Sequence, residues 1–295
     1  MKELLVISGK GGTGKTSIVG SLAALAKNKV LADCDVDAAD LHLLLKPVVR
    51  RTMEFTSSKQ AFVDEQKCTS CGLCAEVCRF DAIAMAHCGS GGGSALIDPI
   101  ACEGCGVCSH VCPECAISMR DALSGHWFVS DTDYGPMVHA RLRAAEENSG
   151  KLVTEVRREA RRIAQEAGLD YIIADGPPGI GCPVISCMSG VDLALVVTEP
   201  TVAGVHDLQR VLDLASHFGV KACVCINKYD LHEANSRRIE DYCGNRGVEV
   251  VGKIPFDREV VAALANGQPA VTGGGAAAEA IRGLWNRLDE ECMEE

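Results

Sequence analysis

Two groups of residues in this sequence carry chemistry in their spacing. The first lies near the start, where Gly9-Lys10-Gly11-Gly12-Thr13-Gly14-Lys15-Thr16 matches G-x-x-x-x-G-K-S/T. Glycines at these places let successive backbone N–H groups turn toward an anion, where bulkier residues would obstruct it. Lys15 is spaced to reach the terminal phosphates of a nucleotide, and the Thr16 hydroxyl to hold magnesium. Ser17 begins a helix whose positive end faces the same anion. The second group is sulfur. Cys68, Cys71, Cys74 and Cys78 follow C-x2-C-x2-C-x3-C; Cys102, Cys105, Cys108 and Cys112 repeat it, followed by Pro113. Three tightly spaced thiolates can grip one face of a 4Fe-4S cubane while the fourth is directed to a second cluster. Cys68, Cys71, Cys74 and Cys112 are therefore expected around one centre, and Cys102, Cys105, Cys108 and Cys78 around the other. Zinc sites more often use separated cysteine pairs than a triplet plus one. The first motif has Arg79 where the second has proline.

These groups need rigid elements to hold them. Residues 4–7 are a short apolar run that predicts a buried parallel strand leading into the glycine loop. Residues 30–32 predict a second strand ending at Asp33, Asp35 and Asp37, with Asp40 just beyond. Carboxylates at the C-terminal end of a strand sit where ligands bind in open parallel sheets. Residues 171–174 predict another strand, and Asp175 after it has the arrangement that holds magnesium directly or through water. Strands are also expected at 193–198 and 222–226, the latter ending at Asn227-Lys228-Tyr229-Asp230. A long amphipathic helix is expected over 149–168 and a last helix within 273–293. His206, His217 and His232 show no paired ligand spacing and read as ordinary surface or packing residues.

With Lys10 directly after the first glycine, the loop resembles that of the deviant phosphate-loop ATPases, the MinD/ParA class that includes the nitrogenase iron protein. The resemblance implies that Lys10 reaches a partner's nucleotide across an ATP-bound homodimer, or a heterodimer with a similar ATPase. It implies that Asp35 orients the attacking water and contacts the magnesium shell, and that the N–H of Gly179 senses the terminal phosphate. It further implies that Asn227 contacts adenine together with the loop Pro255-Phe256-Asp257. The letters of residues 227–230 also match the guanine-reading N-K-x-D; ATP is expected because the whole chain fits the family. Cys182, just after Gly179, stands near where the nitrogenase iron protein binds an inter-subunit cluster, with Cys187 as a second candidate; a structural thiol is the preferred reading and the cluster the alternative.

The chain has 295 residues and 47% apolar content, enough for one large α/β domain with a small insertion. The expected fold is a doubly wound, mostly parallel sheet over residues 1–56 and 124–295. An α+β ferredoxin-like insert is expected over 57–123. There the apolar residues at 82–84 and 116–119 look like paired strands of an internal repeat. Residues 89–95 read as a flexible link between the repeats, and 147–150 as a helix cap or a contact with the insert. Seventeen cysteines in a chain without a signal-peptide pattern suggest metal in a reducing cytoplasm. Cys88 and Cys115 read as ordinary extra thiols. A net charge of −11 and an acidic C-terminus argue against nucleic acid and membrane partners. The function expected is slow or partner-stimulated ATP hydrolysis coupled to electron transfer through two 4Fe-4S clusters toward an unidentified redox or acceptor protein. An iron–sulfur carrier and a MinD/ParA-like switch with redox-sensing clusters are the rivals.

Overall fold

The computed structural model describes residues 1–86, 93–143 and 149–293, so Cys88, residues 89–92 of the expected link and residues 147–148 lie outside the description. Its first elements are β1 (Lys2–Ser8), α1 (Lys15–Leu25), β2 (Lys29–Asp33), α2 (Leu41–Leu45) and β3 (Val48–Val63). Then come α3 (Leu73–Glu76), β4 (Ile83–Met85), β5 (Ala95–Ile97), α4 (Val107–Val111), β6 (Ile117–Thr132) and β7 (Gly135–Leu142). Next are α5 (Ser149–Ala167), β8 (Tyr171–Pro178), α6 (Cys182–Met188), β9 (Leu193–Thr198) and α7 (Val202–His217). The chain closes with β10 (Lys221–Asn227), α8 (Glu233–Asn245), β11 (Glu249–Ile254), α9 (Arg258–Ala265) and α10 (Ala276–Met293).

Contacts divide these elements into two units. The first holds residues 1–53, 126–141 and 149 onward; the second holds 54–125 with Leu142 and Arg143. The division passes through β3 and β6, after Met53 in one and before His126 in the other. The expected insert, 57–123, falls within the second unit. Among the described residues no helix is long and apolar enough to cross a membrane.

In the sheet the strand order is β11-β10-β9-β1-β8-β2-β7-β6-β3. Every pairing from β11 to β7 is parallel. Parallel strands covered on both faces read as continuous apolar runs, which is why Leu4 to Ile7 of β1 and Leu193 to Val197 of β9 are apolar and buried. Their C-terminal ends carry the loop at Gly9, Asp33–Asp35, Asp175 and Glu199 to one edge. Long helices brace this frame. On α5, Leu152, Val153, Val156 and Ala160 are buried, and Arg157 pairs with Glu3 at 2.7 Å. The same guanidinium donates to the carbonyls of Ser186 and Ser189 at 2.6 and 3.0 Å, satisfying the last turn of α6.

The second unit has a small core of Ala61, Cys74, Ala95, Cys108 and Ile117. One expectation is corrected here. β4 does not pair with the segment after the second cysteine motif; it pairs antiparallel with β5, Ile83 opposite Ile97 and Met85 opposite Ala95. Ala116 instead accepts a hydrogen bond from the N–H of Asp64 at 2.7 Å. The apolar pattern identified the strands, but register and partner depend on residues far apart in sequence.

Candidate nucleotide and thiol sites

The glycine loop joins β1 to α1, with Gly12 and Gly14 in the left-handed region at φ 81° and 87°. A side chain at Gly14 would also collide with Asn227, whose amide donates to the carbonyl of Thr13 at 2.7 Å. No side chain caps the start of α1, which leaves its first N–H groups facing the loop.

Lys15 lies in that loop, only 6% exposed, paired with Asp175 and 3.7 Å from Asp35. Burial works against its ammonium, but Asp175, Asp35 and Asp33 together hold its pKa above the usual lysine value. Burial raises Asp33 well above the carboxylate range, with Asp175 and Asp35 adding to it. Asp35 is pushed up to about 6, chiefly by burial, with Lys15 opposing and Asp175 and Asp37 reinforcing. Three carboxyl groups thus crowd one ammonium. One oxygen each of Asp33 and Asp175, and the Thr13 hydroxyl, are buried without a hydrogen-bond partner among the described residues. Hard oxygen donors with surplus negative charge and unused lone pairs fit a magnesium ion.

Gly11 to Ser17 line a cavity of about 520 Å³ with Asp35, Asp40, Asn227, Pro255 and Asp257. That volume suits a small-molecule site. Its far wall is apolar: Ile254, Phe256, Val260, Val261, Leu264 and Ile281. The loop expected at residues 255–257 contributes Phe256 to this wall, and Lys228 of the N-K-x-D letters stands beside it. The sequence reading did not bring Ile254, Val260, Val261, Leu264 and Ile281 here, because they come from β11, α9 and α10, far along the chain. Asp257 caps α9, accepting from the N–H of Glu259 at 3.0 Å. Asp230, the acid of the N-K-x-D letters, accepts from the N–H of Phe256 at 2.7 Å. Its carboxylate braces the loop after β11, which is a different task from reading guanine.

Four expected residues stand outside the cavity lining: Gly9, Lys10, Asp175 and Gly179. Gly9 packs so closely on Asp207 that no side chain fits. The Gly179 N–H donates to the carbonyl of Ser8 at 2.8 Å, tying the β8 turn to the end of β1. Lys10 pairs with Glu199 at 2.6 Å within its own chain. Glu199 was not singled out in the sequence, although it follows a buried strand just as Asp175 does. Cys182 is exposed at the start of α6 while Cys187 is fully buried, so the two differ in access. His232 caps α8, its Nδ1 accepting from the N–H of Asn235 at 3.1 Å.

In the second unit the two cysteine motifs adopt the same local shape. Ser70 and Gly72 have φ 58° and 80°; their counterparts Gly104 and Gly106 have 66° and 77°. Cys74 and Cys108 are both buried, and Cys71 and Cys105 both exposed. One cavity is lined by Cys68, Cys71, Cys74 and Cys112. The N–H of Ala116 donates to the Cys112 sulfur at 3.3 Å. Burial pushes the Cys74 thiol up, with Cys68 and Cys71 adding to it; Cys102 and Cys105 act likewise on the buried Cys108. Cys78 follows α3, which packs against α4. Among the described residues no three His, Cys, Asp or Glu side chains are arranged to hold a single metal ion.

Residues 4–270 match the family described as the CobQ/CobB/MinD/ParA nucleotide binding domain. An uncharacterised protein of Methanocaldococcus jannaschii is 34% identical over 291 residues, 98% of this chain and 96% of that protein. MinD of Aquifex aeolicus, solved in complex with MinC, superposes with a TM-score of 0.58 at 20% identity, covering 100% of this chain and 98% of that one. MinD of Pyrococcus horikoshii with Mg-ADP gives 0.54 at 19% identity, covering 99% and 97%. At these identities the two solved structures attest the fold.

Proposed function

Because this chain belongs to the CobQ/CobB/MinD/ParA nucleotide-binding family, as an ATPase of the MinD/ParA kind, we propose that it couples ATP binding and hydrolysis to one-electron chemistry at two 4Fe-4S clusters. The observation that carries the nucleotide half is the cavity bounded by Gly11 to Ser17, Asp35 and an apolar wall. The Pyrococcus relative holds Mg-ADP, and the unpartnered oxygens here suit the same ligand. Thr16, Asp35 and Asp175 would hold magnesium, which supplies charge neutralisation on the phosphate oxygens.

The remaining steps belong to the chain's own residues. Lys15 exchanges its carboxylate partner for the terminal phosphates, guided by the N–H groups of Gly11 to Thr16. Asp35, ionised above about pH 6, accepts a hydrogen bond from the attacking water and orients it. Gly179 gives up the Ser8 carbonyl to meet the terminal phosphate, so the β8 turn follows nucleotide state. Asn227, Pro255 and Asp257 border the base, and the apolar wall excludes water from it. Lys10 crosses to a second copy of the chain, closing an ATP-bound dimer.

The thiol half rests on Cys68, Cys71, Cys74 and Cys112 lining one cavity. A cubane gives one thiolate to each iron, so its ligands are spaced around a cage rather than converging on one ion. An all-thiol donor set on two like-shaped loops fits that group, and clusters so held supply one-electron transfer. The test is anaerobic: hydrolysis and light scattering with Mg-ATP, then an EPR redox titration with and without it. Mg-ATP should be hydrolysed, mass should double, and two cluster signals should shift with nucleotide. Absence of bound iron after anaerobic reconstitution defeats the thiol half; failure to bind Mg-ATP defeats the nucleotide half.

A further inference from the structure

Glu199 lies beside the glycine loop. One of its oxygens is 2.6 Å from Lys10 Nζ and the other 3.4 Å from Lys228 Nζ. Lys10 also donates to the Thr201 hydroxyl at 3.3 Å, and Lys228 to the Gly12 carbonyl at 3.4 Å. The carboxylate is the better sheltered member of the group, its side chain 16% exposed against 31% and 30% for the lysines. Rigid neighbours hold it there. Thr198 ends β9 in the core, Pro200 fixes the next backbone angle, and Thr201 caps α7 by accepting from the N–H of Gly204 at 2.9 Å. Burial raises the Glu199 carboxyl, but Lys10 and Lys228 outweigh it and hold its pKa below the ordinary value. It is thus an anion at neutral pH, anchored to the scaffold and occupying a cation expected to serve phosphate.

We propose that Glu199 is a positioning residue that parks Lys10 against its own chain, so that ATP-driven dimer closure requires Lys10 to exchange this carboxylate for phosphate. The inference rests on the dimeric ATPase reading above and adds its threshold. An exposed ion pair alone would count for little. Here the anion is sheltered and preplaced, so releasing Lys10 leaves Glu199 with Lys228 as its remaining neighbour. A polyphosphate carries more charge than one carboxylate and can win the exchange; a weaker anion cannot.

The test compares wild type, Glu199→Gln and Glu199→Asp as full-length holoprotein. Brief labelling with an amine-acylating reagent, read by mass spectrometry without nucleotide, reports how tightly Lys10 is held. Light scattering against Mg-ATP concentration gives the midpoint of dimer formation. Glu199→Gln, which keeps the shape and removes the charge, should raise Lys10 labelling about threefold and lower the ATP midpoint about threefold to tenfold. Glu199→Asp, which keeps the charge, should stay nearer wild type in both. Unchanged labelling in Glu199→Gln overturns the parking contact, and increased labelling with an unmoved or raised midpoint overturns the threshold. A wild-type chain that stays monomeric at saturating Mg-ATP refutes the dimer reading, and the threshold falls with it. A normal wild-type dimer with an unmoved variant midpoint refutes the threshold alone.

Discussion

Replacing Asp35 with asparagine should make the nucleotide-free protein more stable while removing its hydrolysis. Asp35 is 9% exposed, and its acid midpoint moves from 3.8 to about 6 on folding. Below about pH 4 the carboxyl is protonated in both the folded and the unfolded chain, and burial of its charge costs nothing. As pH rises to about 6, the unfolded chain has released the proton while the folded chain retains it, so stability falls across that window. Above it the full penalty remains, about 3 kcal/mol from a displacement of that size, with the attraction of Lys15 already included. Asparagine avoids the charge but still buries an amide, which returns about 1 kcal/mol of the gain. The net expectation at pH 7 is about 2 kcal/mol, or roughly 4–8 °C in the midpoint of thermal unfolding. Both tryptophans, Trp127 and Trp285, belong to the first unit, so their fluorescence reports the relevant transition. Urea unfolding in EDTA at several pH values from 4 to 8 should show the advantage of Asp35→Asn growing through pH 5 and vanishing near pH 4. Equal stability of variant and wild type across the range, or a destabilised variant at pH 7, refutes the account of a carboxylate kept for catalysis against its own burial.

Three further outcomes follow from the geometry. Cys112→Ser should remove about half of the bound iron; combining it with Cys68→Ser should cost little more, whereas combining it with Cys102→Ser should empty the protein of iron. Iron analysis decides it, and loss of all iron in Cys112→Ser combined with Cys68→Ser defeats the crossed ligand assignment. Asp230→Ala frees the Phe256 N–H and should weaken ATP binding about fivefold, roughly 1 kcal/mol, with no gain in GTP affinity by titration calorimetry. Gly14→Ala must adopt a left-handed backbone and displace Asn227, so it should lose about 1–2 kcal/mol of stability in urea and all measurable Mg-ATP binding.

Much of this was readable because it is local. The strands carrying Gly9, Asp175 and Glu199 are apolar runs that need no distant information to be recognised, and β9 spans the residues expected of it. The glycine loop likewise declares itself, since its shape depends on eight neighbouring residues. By contrast β3 went unseen: most of its residues are exposed, and its polar stretch through Arg50, Arg51 and Glu54 offers no clear alternation. The wall of the nucleotide cavity was hidden for another reason. Ile254, Val260 and Ile281 are ordinary apolar residues until the β9–β10–β11 pairing brings them to the loop. Lys10 was recognised as unusual, but its partner Glu199 is 189 residues away and carries no motif of its own. The expected strand pairing in the second unit failed on the same ground.

The core of that second unit has a consequence for how the protein is made and lost. Of its five buried residues two are cysteines, and Cys68, Cys102 and Cys112 pack against them alongside Val63, Ile83, Met85, Ile97 and Met119, which are only partly buried. Little of the hydrocarbon in such a core is fully buried, so the iron proposed for these thiols would be much of its mortar. Synthesis under iron starvation would then yield chains with an intact nucleotide fold and a loosened second unit, open to proteolysis there. The cell's supply of iron would set how long each copy survives as well as whether it works.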